Sequence, residues 1–464
     1  MRKQFSLLGV LVLGTCVLVP FLLNASQMHD PPHVLGNLWS TTLPHYKGSN
    51  FPIFSTWGGT SIEWGSGLGL TNEGIYVVGT TSSFGAGRED LVLVKWDTEG
   101  HLLWNRTWGG FQSDFGENIV VDQAGNIFTV CNSQSFGNQV LIKWDSNGNQ
   151  LWNRTWSEGR RGWETKIIMS NESIYTVDTR LTWDVSTPPH WSEFVDYSLM
   201  LRKWETNGTS VWSRTWGGDY DYVFGVATSS DASIYTVGTA GRLHPELDLE
   251  LIKWDSEGNQ LWNQTWDSSR GDWGRDIAID RNGDIYTAGY TTSNETSSSD
   301  DFLLVKWDLD GNQLWNRTAG GSDIDWGFGI TIDNMDNIYV VGTTTTSVMQ
   351  PGAIDPTWYS GLILAKWDST GRSLGFHYWT VGDAHFAIQS VGDVTVSNEK
   401  LYCVGEVHQD LALLVFSTSN FSLTEFPSNE IPLFNTPDIE FPLVVLTICL
   451  LIGARKRKIR VGQT

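Results

Sequence analysis

With 464 residues, 25 Trp and 48 Gly, the chain has ample apolar and aromatic matter for a large core, and its length alone would allow about three ordinary domains. Its formal charge is −22, and setting aside the seven basic residues of the two ends leaves 23 Lys and Arg against 52 Asp and Glu, a balance of −29. A surface that acidic excludes nucleic acid and anionic lipid headgroups as natural partners.

The chain begins Met1-Arg2-Lys3, followed by an apolar run from Phe5 to Leu23 and small residues at Ala25 and Ser26. A basic start, an apolar stretch and a small-residue exit are the parts of a secretory signal, so residues 1–25 are read as a signal peptide or an uncleaved signal anchor. Residues 26–50 form a linker. The first strand-like segment, Phe51 to Trp57, then stands alone ahead of a series of repeats.

K-W-D-x-x-G-x-x-x-W recurs along the chain, with Trp96, Trp144, Trp204, Trp254, Trp307 and Trp367 spaced by 48, 60, 50, 53 and 60 residues. Spacing in that range, with strand-like content, belongs to β-propellers. Between Asp114 and Trp156, runs rich in Val, Ile, Phe, Thr and Trp alternate with Asp/Asn/Gly clusters, which is strand and turn chemistry. Each unit therefore supplies four antiparallel strands, a to d. Strand b is marked by Tyr76, Phe128, Tyr175, Tyr235, Tyr286, Tyr339 and Tyr402, strand c by six K-W-D copies and a degenerate seventh at Leu411 to Phe416, and strand d by six tryptophans and Ala319. All three marks count seven. The expectation is an all-β, seven-bladed propeller over residues 51–417, its ring closed by Phe51 to Trp57 acting as strand d of the last blade. Phe421 to Phe426 is the rival closing strand.

W-G-G, an acid, an aromatic and Gly, then V-D-x-x-G-N-I-Y-x-x-G-T-T, then L-x-x-K-W-D-x-x-G-x-x-x-W resembles the SBBP repeat, a seven-bladed β-propeller repeat of prokaryotic exported and surface proteins. The likeness runs from about Phe51 to Phe416. The third unit departs from it at Ser157-Glu158 and Asp178, the sixth lacks the d tryptophan, and the seventh loses K-W-D. The resemblance implies fold and export; it does not imply an activity or a set of catalytic residues. W-D-S-N-G-N-Q-L-W also shares the spacing of the tryptophan-docking repeats of quinoprotein dehydrogenases, without their cofactor-binding and calcium-binding residues.

Turns a-to-b and c-to-d are uniformly short, whereas the b-to-c connections carry long insertions from Thr179 to Tyr197 and from Thr343 to Ser360. Binding residues concentrate on variable loops over a rigid scaffold, so the b–c face is the candidate functional face. Six residues after the d position, that face receives Glu63, Asp114, Gly162, Tyr222, Asp272, Asp325 and His385, each followed within one or two residues by an aromatic: Trp64, Phe115, Trp163, Phe224, Trp273, Trp326 and Phe386. Such a ring suits sugars, cations or a basic peptide. The alternative packs the aromatics between blades and uses the carboxylates to cap loop amides. The insertions add Trp183, His190 and Trp191 in blade 3, and Asp355, Trp358 and Tyr359 in blade 6, as contact candidates.

No cofactor is expected. Asp308 to Asn312 invites a calcium reading, but the twelfth position of such a loop is Ala319 and not Glu, which favours a hairpin turn. Cys131 and Cys403 lie two blades apart and are expected to be buried thiols. Sequons begin at Asn105, Asn153, Asn171, Asn207, Asn263, Asn294, Asn316 and Asn420, four of them within strand d. The chain ends in a stalk (418–440), an uncharged apolar stretch (441–454) and a basic tail (455–464). Fourteen helical residues span about 21 Å against a hydrocarbon core of about 30 Å, short for a membrane span. A membrane anchor aided by snorkelling, a removable sorting segment and a buried helix compete; the basic cluster disfavours the last. Positive-inside orientation places that tail in the cytoplasm and the repeats on the extracellular face. Three functions follow: a surface-anchored module that binds a polysaccharide or an envelope protein, an extracellular enzyme (glycosidase, lyase or quinone-dependent dehydrogenase), or a structural envelope component. With no nucleophile motif, metal constellation or acid–base pair legible, the reading inclines away from the enzyme.

Overall fold

The computed structural model describes residues 53–135, 138–156, 164–183, 195–218, 221–241, 247–268, 270–292, 300–320, 324–348, 357–380 and 388–419. The expected signal, linker and membrane or sorting segments lie outside them. Among the described residues are seven four-stranded antiparallel sheets. Blade 1 takes Glu63–Thr71, Gly74–Thr81, Asp90–Trp96 and Leu102–Trp108 as strands a to d, and blades 2 to 6 repeat the order. Blade 7 supplies Ile388–Ser397, Lys400–Val407 and Asp410–Ser417, and its fourth strand is Ile53–Trp57, paired antiparallel with Asp410–Ser417 so that Trp57 faces Leu411. Each inner strand a contacts the inner strand of the next blade all the way round, so the ring is closed.

The K-W-D motif is an inter-blade clasp. In blades 2 to 6 the lysines lie over the ring of strand b, as Lys143 does 5.0 Å above Phe128 and Lys306 5.0 Å above Tyr286. Their amines donate forward to a carbonyl beyond strand c of the next blade: Lys143 to Thr206, Lys203 to Ser256, Lys253 to Leu309, Lys306 to Ser369 and Lys366 to Thr418, at 3.2–3.4 Å. The tryptophan is buried and its indole N–H bonds a strand-b threonine, Trp144 to Thr129 and Trp254 to Thr236. The aspartate caps the c–d turn, where Asp145 Oδ1 accepts from Asn147 N and Asn149 N. Strand d adds a second clasp. Arg106 stacks on Trp104 and donates to the Asn147 carbonyl of blade 2, and Arg154 does the same towards Asn207 of blade 3. Blade 7 has lost K-W-D, and Lys400 from its strand b reaches the Thr98 carbonyl of blade 1 instead.

The two insertions are not simple loops. In blade 3 strands b and c run on to Trp183 and back from Val195, and in blade 6 to Val348 and back from Thr357, making four strands of 11 residues. Thr179–Trp183 pairs with Val195–Leu199, and Thr343–Val348 with Thr357–Leu362. Residues expected as loop continue the hairpin because the alternating Thr, Leu, Tyr and Trp there sustain strand pairing. Cys131 and Cys403 are buried and free, and burial pushes both thiols up.

Candidate functional site

The carboxylates at the start of strand a point into the protein. Glu63 is fully buried, accepting from Gly59 N and Ser83 N at 3.0 Å and from Thr81 Oγ1 at 3.0 Å. Asp114 accepts from Gly110 N at 2.7 Å and from Ser133 Oγ, and Asp272 from Ser268 N and Oγ. Asp325 is equally enclosed, 2% exposed. Glu63, Asp114 and Asp272 cap the d–a loop amides. Blade 4 is shifted by one residue from the sequence alignment. Asp221 N bonds the Tyr197 carbonyl as Asp272 N bonds that of Leu247, and Asp221 Oδ2 takes Gly218 N at 2.7 Å. Asp221 is therefore the acid of that blade and Tyr222 the aromatic, because its d–a loop is one residue shorter. In blade 7 the strand position facing Val407, where Asp114 faces Ser133, belongs to Ile388.

This arrangement explains the first glycine of W-G-G. A Cβ at Gly109 would lie 1.9 Å from Asp90 Oδ1 and 2.8 Å from Asp114 Oδ2; Gly58 is caught in the same way between Asp410 and Glu63. Burial, with the neighbouring acid adding to it, pushes Asp90 and Asp410 above the usual carboxylate range. Gly109→Ala should cost about 1–3 kcal/mol in urea unfolding; a change within about 0.5 kcal/mol, the scatter of neutral substitutions, would contradict this packing. Between blades 4 and 5 the glycine is replaced by Asp267, which with Asp248 and Asp272 brings three carboxylate oxygens within 4.8 Å of one another.

The aromatics form a run. Tyr197 and Tyr222 lie 4.6 Å apart, Tyr222 and Trp273 6.0 Å, Trp273 and Tyr290 5.7 Å, and Tyr290 and Trp326 5.6 Å, all half-buried at the b–c end of blades 3 to 6. Tyr290 breaks the repeat, since its strand-b position holds Thr80, Thr179, Thr239 and Thr343 in other blades.

Below the run, on the inner strands, lies a charged constellation that the sequence reading missed. Strand a of blades 1, 2, 4, 5, 6 and 7 carries a β-bulge, after which stand Gly67, Asn118, Gly225, Asp276, Gly329 and Asp393. Lys166 faces Val177 of blade 3 as Asp276 faces Ala288, and so holds the same place. The polar members reach forward: Asn118 Oδ1 accepts from Ile167 N, Asp276 from Ile330 N and Asp393 from Leu68 N. Lys166 pairs with Glu164 at 3.5 Å, and Arg275, held over Phe224 and Phe328 at 4.3 and 5.3 Å, pairs with the same carboxylate at 3.6 Å. Burial pushes Asp276 up to about 7, with Asp393 adding and Lys166 opposing; burial likewise carries Asp393 to about 6 against Lys166. Glu117 rises to about 7 through burial, Glu164 and Asp178, although it accepts from Thr165 N. Desolvation would raise Glu164, but Lys166 and Arg275 outweigh it and hold it low. The signal was present in the repeat alignment, as the one inner-strand position that switches between Gly and charged residues.

His385, Trp191, Asn294 and Asn420 lie outside the described residues, while Trp358 and Tyr359 fall on strand c of blade 6. At Asp308 the carboxylate accepts from Asp310 N, Asn312 N and Asn312 Nδ2, a capped turn.

The SBBP β-propeller repeat model matches residues 267–295. A comparison with curated proteins gives no match. Among solved structures, Raptor from Chaetomium thermophilum aligns with a TM-score of 0.51 and 11% identity over 81% of this chain and 30% of its own, so the chain spans under a third of Raptor's length. The β-propeller domain of the Trilobed protease from Pyrococcus furiosus aligns at 0.45 and 10% identity over 82% of this chain and 100% of that one. A gluconolactonase from Xanthomonas campestris aligns at 0.37 and 12% over 77% and 87%. At 11% identity the likeness to Raptor speaks for the fold alone.

Proposed function

For a seven-bladed propeller with an SBBP β-propeller repeat match at residues 267–295, we propose the role of a surface-anchored recognition module that binds a polysaccharide or an envelope protein through its b–c face. One observation carries this reading. The long hairpins of blades 3 and 6 flank blades 4 and 5, and the aromatic run with its repeat-breaking Tyr290 lies on the same sector of the same face. Sevenfold features serve the scaffold, and departures gathered on one side are what a single ligand would select. Partly exposed rings offer surface for stacking, and the acidic surroundings favour neutral or cationic groups.

A glycan and envelope-extract binding screen on the folded chain tests it. A saturable hit weakened at least about tenfold, or roughly 1.4 kcal/mol, by Tyr290→Thr with Trp273→Ala, or by Trp191→Ala with Trp358→Ala, is expected. A negative screen, or a hit indifferent to both pairs, would remove the reading. The enzyme reading draws on Glu117 and Asp276, whose protons exchange near neutrality as a general acid or base requires. Its measure is glycoside or uronate turnover abolished by Glu117→Gln. Since both Asp276 oxygens already accept backbone N–H bonds, a tie between blades has first claim on that side chain.

A further inference from the structure

The outer strands carry a pattern that ligand recognition does not use. In blades 1 to 5 the solvent side of strand d reads Leu103-Asn105-Thr107, Leu151-Asn153-Thr155, Val211-Ser213-Thr215, Leu261-Asn263-Thr265 and Leu314-Asn316-Thr318. No charge stands on any of these five faces, in a protein of net charge −22. The aliphatic residue is about half exposed in every copy, between 49% and 54%. Strand d is also the last strand of its sheet, with one edge of its backbone unpaired. An uncharged edge strand bearing an exposed aliphatic side chain invites edge-to-edge pairing.

Four of the five faces spell N-x-T. Residues two apart on a strand share a side, so the asparagine amide and the threonine hydroxyl stand together on the outer side, exposed except at the half-buried Asn316, while the residue between them turns to the opposite side. At Asn105, Asn153 and Asn316 that residue is an arginine bonded to the asparagine's own carbonyl at 2.6–2.7 Å and, beyond it, to the next blade. The strand is thereby fixed and the three amide side chains make no hydrogen bond among the described residues. Two other sequons differ. Asn263 has Gln264 in place of arginine, and its Nδ2 donates to the buried Glu250 at 3.1 Å. Asn207 uses both ends of its amide within its own turn, donating to Glu205 and accepting from Thr209 N.

We propose that Asn105, Asn153 and Asn316 are N-glycan acceptors, and that their glycans cover the uncharged edge strands of blades 1, 2 and 5. The oligosaccharide comes from a lipid-linked phosphate or pyrophosphate donor by way of an oligosaccharyltransferase. The C1–N bond to Nδ2 forms as the C1–O bond to the donor phosphate breaks, the lipid phosphate leaves with the electron pair, and one amide proton is released. At Asn263 the same transfer would place the sugar on the nitrogen that donates to the buried Glu250, crowding that contact. The inference rests on export of the chain and not on the ligand of the b–c face, so the two fail separately.

The full chain, produced in a secretory host whose transferase acts on N-x-S/T and solubilised in mild detergent, is mapped by glycopeptide mass spectrometry. Occupancy at Asn105, Asn153 and Asn316, with Asn263 and Asn207 bare, is expected. Enzymatic removal of the glycans should then increase the sedimentation coefficient through self-association, and Leu103→Lys with Leu151→Lys and Leu314→Lys should suppress that increase. Bare asparagines at all three positions, or equal occupancy at Asn263 and Asn207, overturns the assignment. A sedimentation coefficient unmoved by deglycosylation overturns the shielding role.

Discussion

Lys166→Met is expected to lower stability by about 1–3 kcal/mol at pH 7.5, the cost of leaving half-buried charges without their partner, and by well under half of that at pH 5. At the higher pH the lysine faces Glu164 and Asp393, both ionised, and Asp276, ionised for the larger part. At pH 5 Asp276 and Asp393, raised to about 7 and about 6, already carry protons in the folded protein, and Glu164 keeps Arg275. The sign for the intact chain follows from the same groups. Glu117, Glu250, Asp276 and Asp393 bind protons more tightly folded than unfolded, so their contribution is complete below the ordinary carboxylate range and is lost as pH rises through about 6 to 7. Each can remove up to about 1.4 kcal/mol per pH unit in that window. The turn aspartates Asp145 and Asp308, held low first of all by the amides of Asn149 and Asn312, act in the opposite sense and lose their contribution only below about pH 4. Stability should therefore peak on the acid side of neutrality. Thermal unfolding of the protein and of Lys166→Met at pH 5, 6, 7 and 8 checks both statements, and an equal cost of the substitution at pH 5 and 7.5 would refute the account of the cluster.

Trp57→Ala should cost about 3–5 kcal/mol. The side chain is 8% exposed, shares the core between blades 7 and 1 with Val77, Leu411 and Leu413, and lies 5.2 Å from the ring of Phe84. It also sits at the end of the only strand that joins the beginning of the described ring to its last blade, so lost packing is lost closure. Urea unfolding measures it, with the exposed Leu309→Ala as a control expected within about 0.5 kcal/mol. A cost under about 1 kcal/mol would mean that another segment, such as Phe421 to Phe426, can take the seat of the first strand.

The blade count and the closing strand were legible because they rest on residues that recur: a tryptophan, a turn aspartate or a glycine signals the same local demand in six or seven units. The inner carboxylates were legible as positions but not as roles. Whether Asp114 faces a ligand or a loop amide depends on the path of the d–a loop, which one deleted residue in blade 4 is enough to shift. The Lys166 constellation was not legible, because its members are spread over more than 200 residues and meet only when blades 3, 5 and 7 come together in the ring. Glu164 and Asp178 stand out only once the close approach of Gly79 to Gly116 and of Gly238 to Gly274 shows what their sibling positions require.

The lysine and arginine clasps all run in one direction, each blade holding the turn of the one that follows, and Lys400 preserves that sense across the seam. A ring fastened in this way has no privileged first unit. Chains circularly permuted to open at the b–c loop of any blade should assemble the same ring, whereas a chain shortened by one whole unit would keep every clasp but change the angle at which each must act. The direction of the fastening thus leaves the position of the termini free while holding the number of units at seven.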